Sequence, residues 1–141
     1  MRISAKLLVT ILPLGIAAVL GTTAIRAQNM MVPGAHTIAL KSGESEEVSD
    51  LYYVANCASL LNSPPQVEVV DGPPAVKASI KEDMVMPRLQ KCPAKVKGGK
   101  LVVSAGTIED PSNSQLTVRV TFDTREGIRK QTFVINLALL P

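Results

Sequence analysis

Residues 28–141 predict an all-β sandwich, and three observations carry that expectation. Apolar and polar residues alternate with a period of two along most of this stretch, the pattern of half-buried strands. Pro64-Pro65, Gly72-Pro-Pro74 and Gly98-Gly99 cut the alternation into short runs, as the turns of a sandwich do. No segment after Gln28 repeats its apolar residues at the helical period of about 3.6.

Taken in order, His36-Thr-Ile-Ala-Leu40 alternates and reads as the first strand. Leu51, Tyr53, Ala55 and Cys57 share one face of the next candidate. Gln66 to Asp71 is valine-rich and short. Val76, Ala78 and Ile80 are expected inward, with Lys77, Ser79 and Lys81 outward. Leu101-Val-Val103 is expected to follow a Gly98-Gly99 turn. Leu116, Val118, Val120 and Phe122 face one way, as do Phe133, Ile135, Leu137 and Leu139 beyond an Arg125-Glu-Gly127 turn. This last pair reads as a hairpin with Val120 opposite Phe133, or with a register shifted by two, because a one-residue slip would expose every buried position. Pro87 and Pro93 exclude a regular central strand between Met84 and Gly99, so that stretch is read as a long connection. About seven strands result, which fits a single immunoglobulin-like antiparallel sandwich. The buried Trp of antibody domains is missing, since the chain has no Trp.

Residues 1–27 have the order of a cleaved signal peptide: basic Arg2 and Lys6, an apolar run from Leu7 to Leu20, and a small-residue close at Ala24-Ile-Arg-Ala27. The run is shorter than the roughly 20 residues that span a bilayer, and it contains Pro13 and Gly15, so no transmembrane anchor is expected to remain after cleavage. A periplasmic or secreted product follows. Cleavage removes Arg2, Lys6 and Arg26 but no acid, so the 15 Lys and Arg fall to 12 and match the 12 Asp and Glu. The basic balance therefore belongs to the leader. With Tyr52, Tyr53, Phe122 and Phe133 the only aromatics, the mature chain has neither the charge nor the stacking platforms for nucleic acid. Cys57 and Cys92 arrive as an even pair in an oxidising compartment, where a structural disulfide is expected rather than a close-spaced redox pair.

Leu51-Tyr-Tyr-Val-Ala-Asn-Cys57, Val70-Asp-Gly-Pro-Pro74, Pro87-Arg-Leu-Gln-Lys-Cys92 and Thr124-Arg-Glu-Gly127 together resemble small exported proteobacterial proteins with a single-disulfide β-sandwich. The resemblance covers nearly all of residues 28–141. It implies export and fold, and it carries no activity to transfer.

Charge is unevenly placed. Residues 28–76 hold Lys41 against Glu44, Glu46, Glu47, Asp50, Glu68 and Asp71, whereas Arg88, Lys91, Lys95, Lys97 and Lys100 follow one another with no acid between. These five are the candidate contact surface for an acidic protein or a phosphate-rich envelope surface. The rival class is Cu(I) handling by soft thioethers and an imidazole: His36, Met84 and Met86, with Met30 and Met31 nearby. The Met86–Pro93 segment also has the stiffness of a protease-inhibitor loop, with Arg88 expected to be exposed. No enzyme is expected. His36 is the only histidine, no Gly-x-Ser-x-Gly elbow occurs, and adjacent acids such as Glu46/Glu47 or Glu82/Asp83 point to opposite faces of a strand. No cofactor is expected either.

Overall fold

A computed structural model describes residues 36–88 and 91–141, so the expected leader, Met30 and Met31 lie outside the described residues. The elements, in chain order, are β1 (His36–Lys41), β2 (Ser45–Leu51), β3 (Val54–Ala55), β4 (Ala58–Ser59), β5 (Gln66–Asp71), β6 (Val76–Val85), β7 (Val96–Ala105), β8 (Ser112–Thr124) and β9 (Gly127–Leu140). A four-stranded sheet in the order β1-β9-β8-β5 faces a three-stranded sheet in the order β2-β7-β6, and β3 and β4 form a small hairpin between β2 and β5. The fold is all-β and sandwich-like.

The alternation decides what lies between the sheets. Leu116, Val118, Val120 and Phe122 of β8 and Phe133, Ile135, Leu137 and Leu139 of β9 are all buried, and they meet Leu101, Val103 and Ala105 of β7. Ile38 and Leu40 close the core at the β1 edge. The β1–β9 pair is parallel, the one departure from an antiparallel arrangement among the long strands. The reason is connectivity: β1 hands the chain to β2 in the opposite sheet, and nearly the whole domain separates β1 from β9.

The structure corrects the second strand and the Gly98-Gly99 turn, and it selects one of the two registers open to the last hairpin. The second strand is Ser45–Leu51 and not Leu51–Cys57. Its acidic sequence buries only Leu51 fully, because it is an edge strand kinked by a bulge between Glu47 and Ser49, a common guard on an exposed edge. Residues 52–57 cannot continue it, since Asn56 and Cys57 take φ of 50° and 60° in the β3–β4 turn. The last hairpin takes the register shifted by two, with Val118 opposite Phe133 and Leu116 opposite Ile135. Its turn is two residues, Arg125-Glu126, and Gly127 pairs with Thr124 at φ +108°, a conformation glycine adopts without penalty. The Thr124 hydroxyl donates to the Gly127 carbonyl (2.7 Å) and accepts the Glu126 N–H (3.2 Å).

Gly98-Gly99 is not a turn. Both residues lie inside β7, the central strand of its sheet, with Gly99 paired to Leu51 on one side and Glu82 on the other. The small residues are needed for close packing. A methyl on Gly98 would overlap the Leu51 carbonyl and approach Val85 Cγ2 to 2.8 Å, while one on Gly99 would meet Ile80 Cγ2 at 2.8 Å. Gly98→Ala is therefore expected to destabilise the fold by about 1 to 3 kcal/mol, the usual cost of overpacking, measured as a lower urea midpoint. An unchanged midpoint would show that this strand has room to spare.

Candidate functional site

Three connections gather at one end of the sandwich. The β3–β4 hairpin, within the β2-to-β5 connection, is joined to the β6-to-β7 connection by the Cys57–Cys92 disulfide, whose Cα atoms are 5.4 Å apart. The β8–β9 turn joins them through backbone bonds, Arg125 N–H to the Leu60 carbonyl (2.9 Å) and Asn62 N–H to the Asp123 carbonyl (2.9 Å). The other three connections meet at the far end, where Gly43 N–H donates to the Ala105 carbonyl and Gly106 N–H to the Ala75 carbonyl.

The β6-to-β7 connection is held at several points. Val85 and Val96 pair at the mouth of the β6–β7 hairpin and are buried, although neither belongs to the core between the sheets. Pro87 and Cys92, in the connection itself, are buried as well. Tyr52 Oη accepts the Arg88 N–H at 3.2 Å, and Ser59 Oγ donates to the Lys97 carbonyl at 3.0 Å. Residues tied in this way lose little freedom on meeting a partner.

Four of the five sequence-predicted bases belong to this end. Arg88, Lys91, Lys95 and Lys97 are exposed, and among the described residues none of them is in an ion pair. Lys100 stands apart. It projects from the outer face of the three-stranded sheet, beside Asp50 on β2 and Lys81 on β6. There Glu47 accepts from Lys100 Nζ at 2.8 Å and from Lys81 Nζ at 3.0 Å. A run of bases contiguous in sequence is thus divided by the strand on which it ends.

The hydrogen bond from Lys100, then that from Lys81, holds the Glu47 carboxyl below the usual glutamate range, and the same contact raises the Lys100 ammonium above its ordinary value. Because the folded-state pKa of Glu47 lies below its unfolded one, its contribution to stability is complete at neutral pH and is lost as pH falls through the lowered value. For Lys100 the sign reverses: its contribution is complete below the ordinary lysine value and is lost as pH rises through the raised one. Glu47→Gln is expected to flatten the acid limb of stability against pH, weakly and only at low salt, since both partners are solvent-screened. An acid limb identical to that of wild type at low salt would place the sensitivity elsewhere.

The same end carries cations that the linear reading passed over. Arg125, Arg129 and Lys130 are exposed around the β8–β9 turn, with Glu126 among them. Nothing in the sequence marks them as neighbours of Arg88 to Lys97; the tie runs through Leu60 and Asn62, long-range backbone contacts with no local signature.

The soft-ligand set is not brought together. Met84 and Met86 sit at the end of β6, whereas His36 begins β1. Since β1 packs beside β2 and β5 beside β6, the two occupy opposite edges of the sandwich. Among the described residues no three His, Cys, Asp or Glu side chains gather in a way that would hold a metal ion.

A shallow hollow of about 510 Å³ lies on the outer face of the four-stranded sheet, lined by Thr37, Asn113, Gln115 and Asn136 with Ser114, Leu137 and Ala138. Gln115 Nε2 donates to Asn136 Oδ1 at 3.1 Å. Its lining has no titratable group, and His36 points to the other face of β1 by strand alternation, so the hollow holds neither a general acid nor a general base.

No family model, no curated protein and no solved structure matches the chain. The functional reading therefore rests on the geometry of the molecule itself.

Proposed function

We propose that the protein is an exported, non-catalytic binding module of the cell envelope, with an immunoglobulin-type sandwich, that meets an acidic partner through its disulfide-bridged end. The observation that carries the reading is the set Arg88, Lys91, Lys95 and Lys97, exposed, outside any ion pair among the described residues, and mounted on a connection tied down at Cys92. Charges left unpaired on a rigid frame attract an opposite surface without first breaking internal contacts. The disulfide suits an oxidising compartment. No helix among the described residues is long and apolar enough to cross a membrane.

The strand order supports the sandwich type. Reading β1, β2, β5, β6, β7, β8 and β9 as strands A to G gives B-E-D in one sheet and C-F-G in the other, the pairing of an immunoglobulin domain. Two departures accompany it: strand A lies along G, and the disulfide joins two loops and not the two sheets.

The test is binding to polyglutamate across a salt series. Wild type is expected to bind with an affinity that falls steeply as salt rises, and replacing Arg88, Lys91, Lys95 and Lys97 together by serine is expected to weaken binding severely. Lys100→Ser, which removes a cation already occupied by Glu47, is expected to leave it unchanged. Binding that ignores salt, or that is undiminished by the fourfold replacement, overturns the proposal.

A further inference from the structure

We infer that the acidic partner is an anionic phospholipid surface, met end-on, with Met84, Met86 and Ile128 entering the headgroup layer; this rests on the reading of the basic end given above. The carrying observation is an alternation that continues past the end of β6. Met84 is 46% exposed, Val85 2% and Met86 39%, Pro87 is buried and Arg88 exposed. Met84, Met86 and Arg88 are therefore all exposed where β6 and β7 run past the core, and Lys97 sits directly across from Met84 in the ladder. The neighbouring turn repeats the combination, with Ile128 57% exposed beside Arg129 and Lys130.

Exposed apolar side chains interleaved with cations suit the bilayer interface, where phosphates meet the ends of acyl chains, better than a purely polar protein surface. Methionine is apt there because its flexible thioether adapts to a fluid partner. The molecule is also polarised along its length. Its far end carries Glu44, Asp71, Glu109 and Asp110 against Lys41 and Lys77, whereas the disulfide-bridged end carries Asp83, Asp123 and Glu126 against Arg88, Lys91, Lys95, Lys97, Arg125, Arg129 and Lys130. A negative membrane would repel that end and turn the disulfide-bridged end toward itself. Each cation brought to such a surface strengthens partition roughly fivefold, and neutral lipid offers none of this gain.

The experiment uses the full chain, expressed with its own leader and purified as it accumulates. It is sedimented with vesicles of phosphatidylglycerol and phosphatidylcholine in equal parts, or of phosphatidylcholine alone. Binding is expected only to the anionic vesicles, and the double change Met84→Ser, Met86→Ser is expected to weaken it roughly tenfold while leaving polyglutamate binding and the melting temperature untouched. Because the chain has no Trp, Met86→Trp supplies an unambiguous reporter whose emission is expected to shift to the blue on anionic vesicles. If polyglutamate is bound and vesicles are not, the lipid assignment fails while the basic end stands. The lipid assignment also fails if vesicle binding ignores the methionine changes, or if the Met86→Trp emission stays unmoved. If neither probe is bound, both readings fail.

Discussion

Replacing Cys57 and Cys92 together by serine is expected to lower the stability of the fold by about 3 to 4 kcal/mol, the chain-entropy value for a loop of this length. The cysteines are 35 residues apart, so their link removes many conformations from the unfolded chain. Against the ~5 to 15 kcal/mol typical of a whole domain, this is a large share. The native state adds to the effect, because the link holds the connection containing Pro87 beside the buried Val85–Val96 pair. Urea unfolding of the double variant is the check, and an unchanged midpoint would contradict the account. The same variant is expected to bind polyglutamate more weakly even where it remains folded, since a loosened connection must be reordered on contact.

Leu101→Ala is expected to cost about 2 to 5 kcal/mol, the range for truncating a fully buried leucine. Leu101 is wholly buried at the middle of the central strand of its sheet, with Ser49 on one side in the ladder and Ile80 on the other. The space it leaves lies within the core cluster between the two sheets, so it is filled only if packed side chains shift. Val102, next along β7 but facing outward and partly exposed, is the internal control: Val102→Ala is expected to cost much less. A loss at Val102 as large as that at Leu101 would contradict the assignment of an inward and an outward face to β7.

What the linear sequence revealed follows from where its signals are local. The β8–β9 hairpin was legible because both strands alternate strictly and Gly127 supplies the turn, leaving a choice between two registers of equal parity. Ser45–Leu51 was not, because an edge strand with one fully buried side chain has no apolar alternation to read. Gly98-Gly99 misled for the opposite reason: the residues that mark turns also allow close strand packing, and only the position of Leu51 and Ile80 distinguishes the two. The basic run was legible as a run, but its division at Lys100 depends on Glu47, distant in sequence, and its extension by Arg125, Arg129 and Lys130 depends on Leu60 and Asn62. Contacts of that span leave no trace in spacing or composition.

The central claim is that one end of the sandwich makes the contact, and an amide-by-amide NMR titration with polyglutamate tests it most directly. Shifts confined to Arg88–Lys97 and to the turn from Arg125 to Lys130, shrinking together as salt is added, are the expected result. Shifts centred on the outer face of the three-stranded sheet around Lys77, Lys81 and Lys100, or none at all, would contradict it.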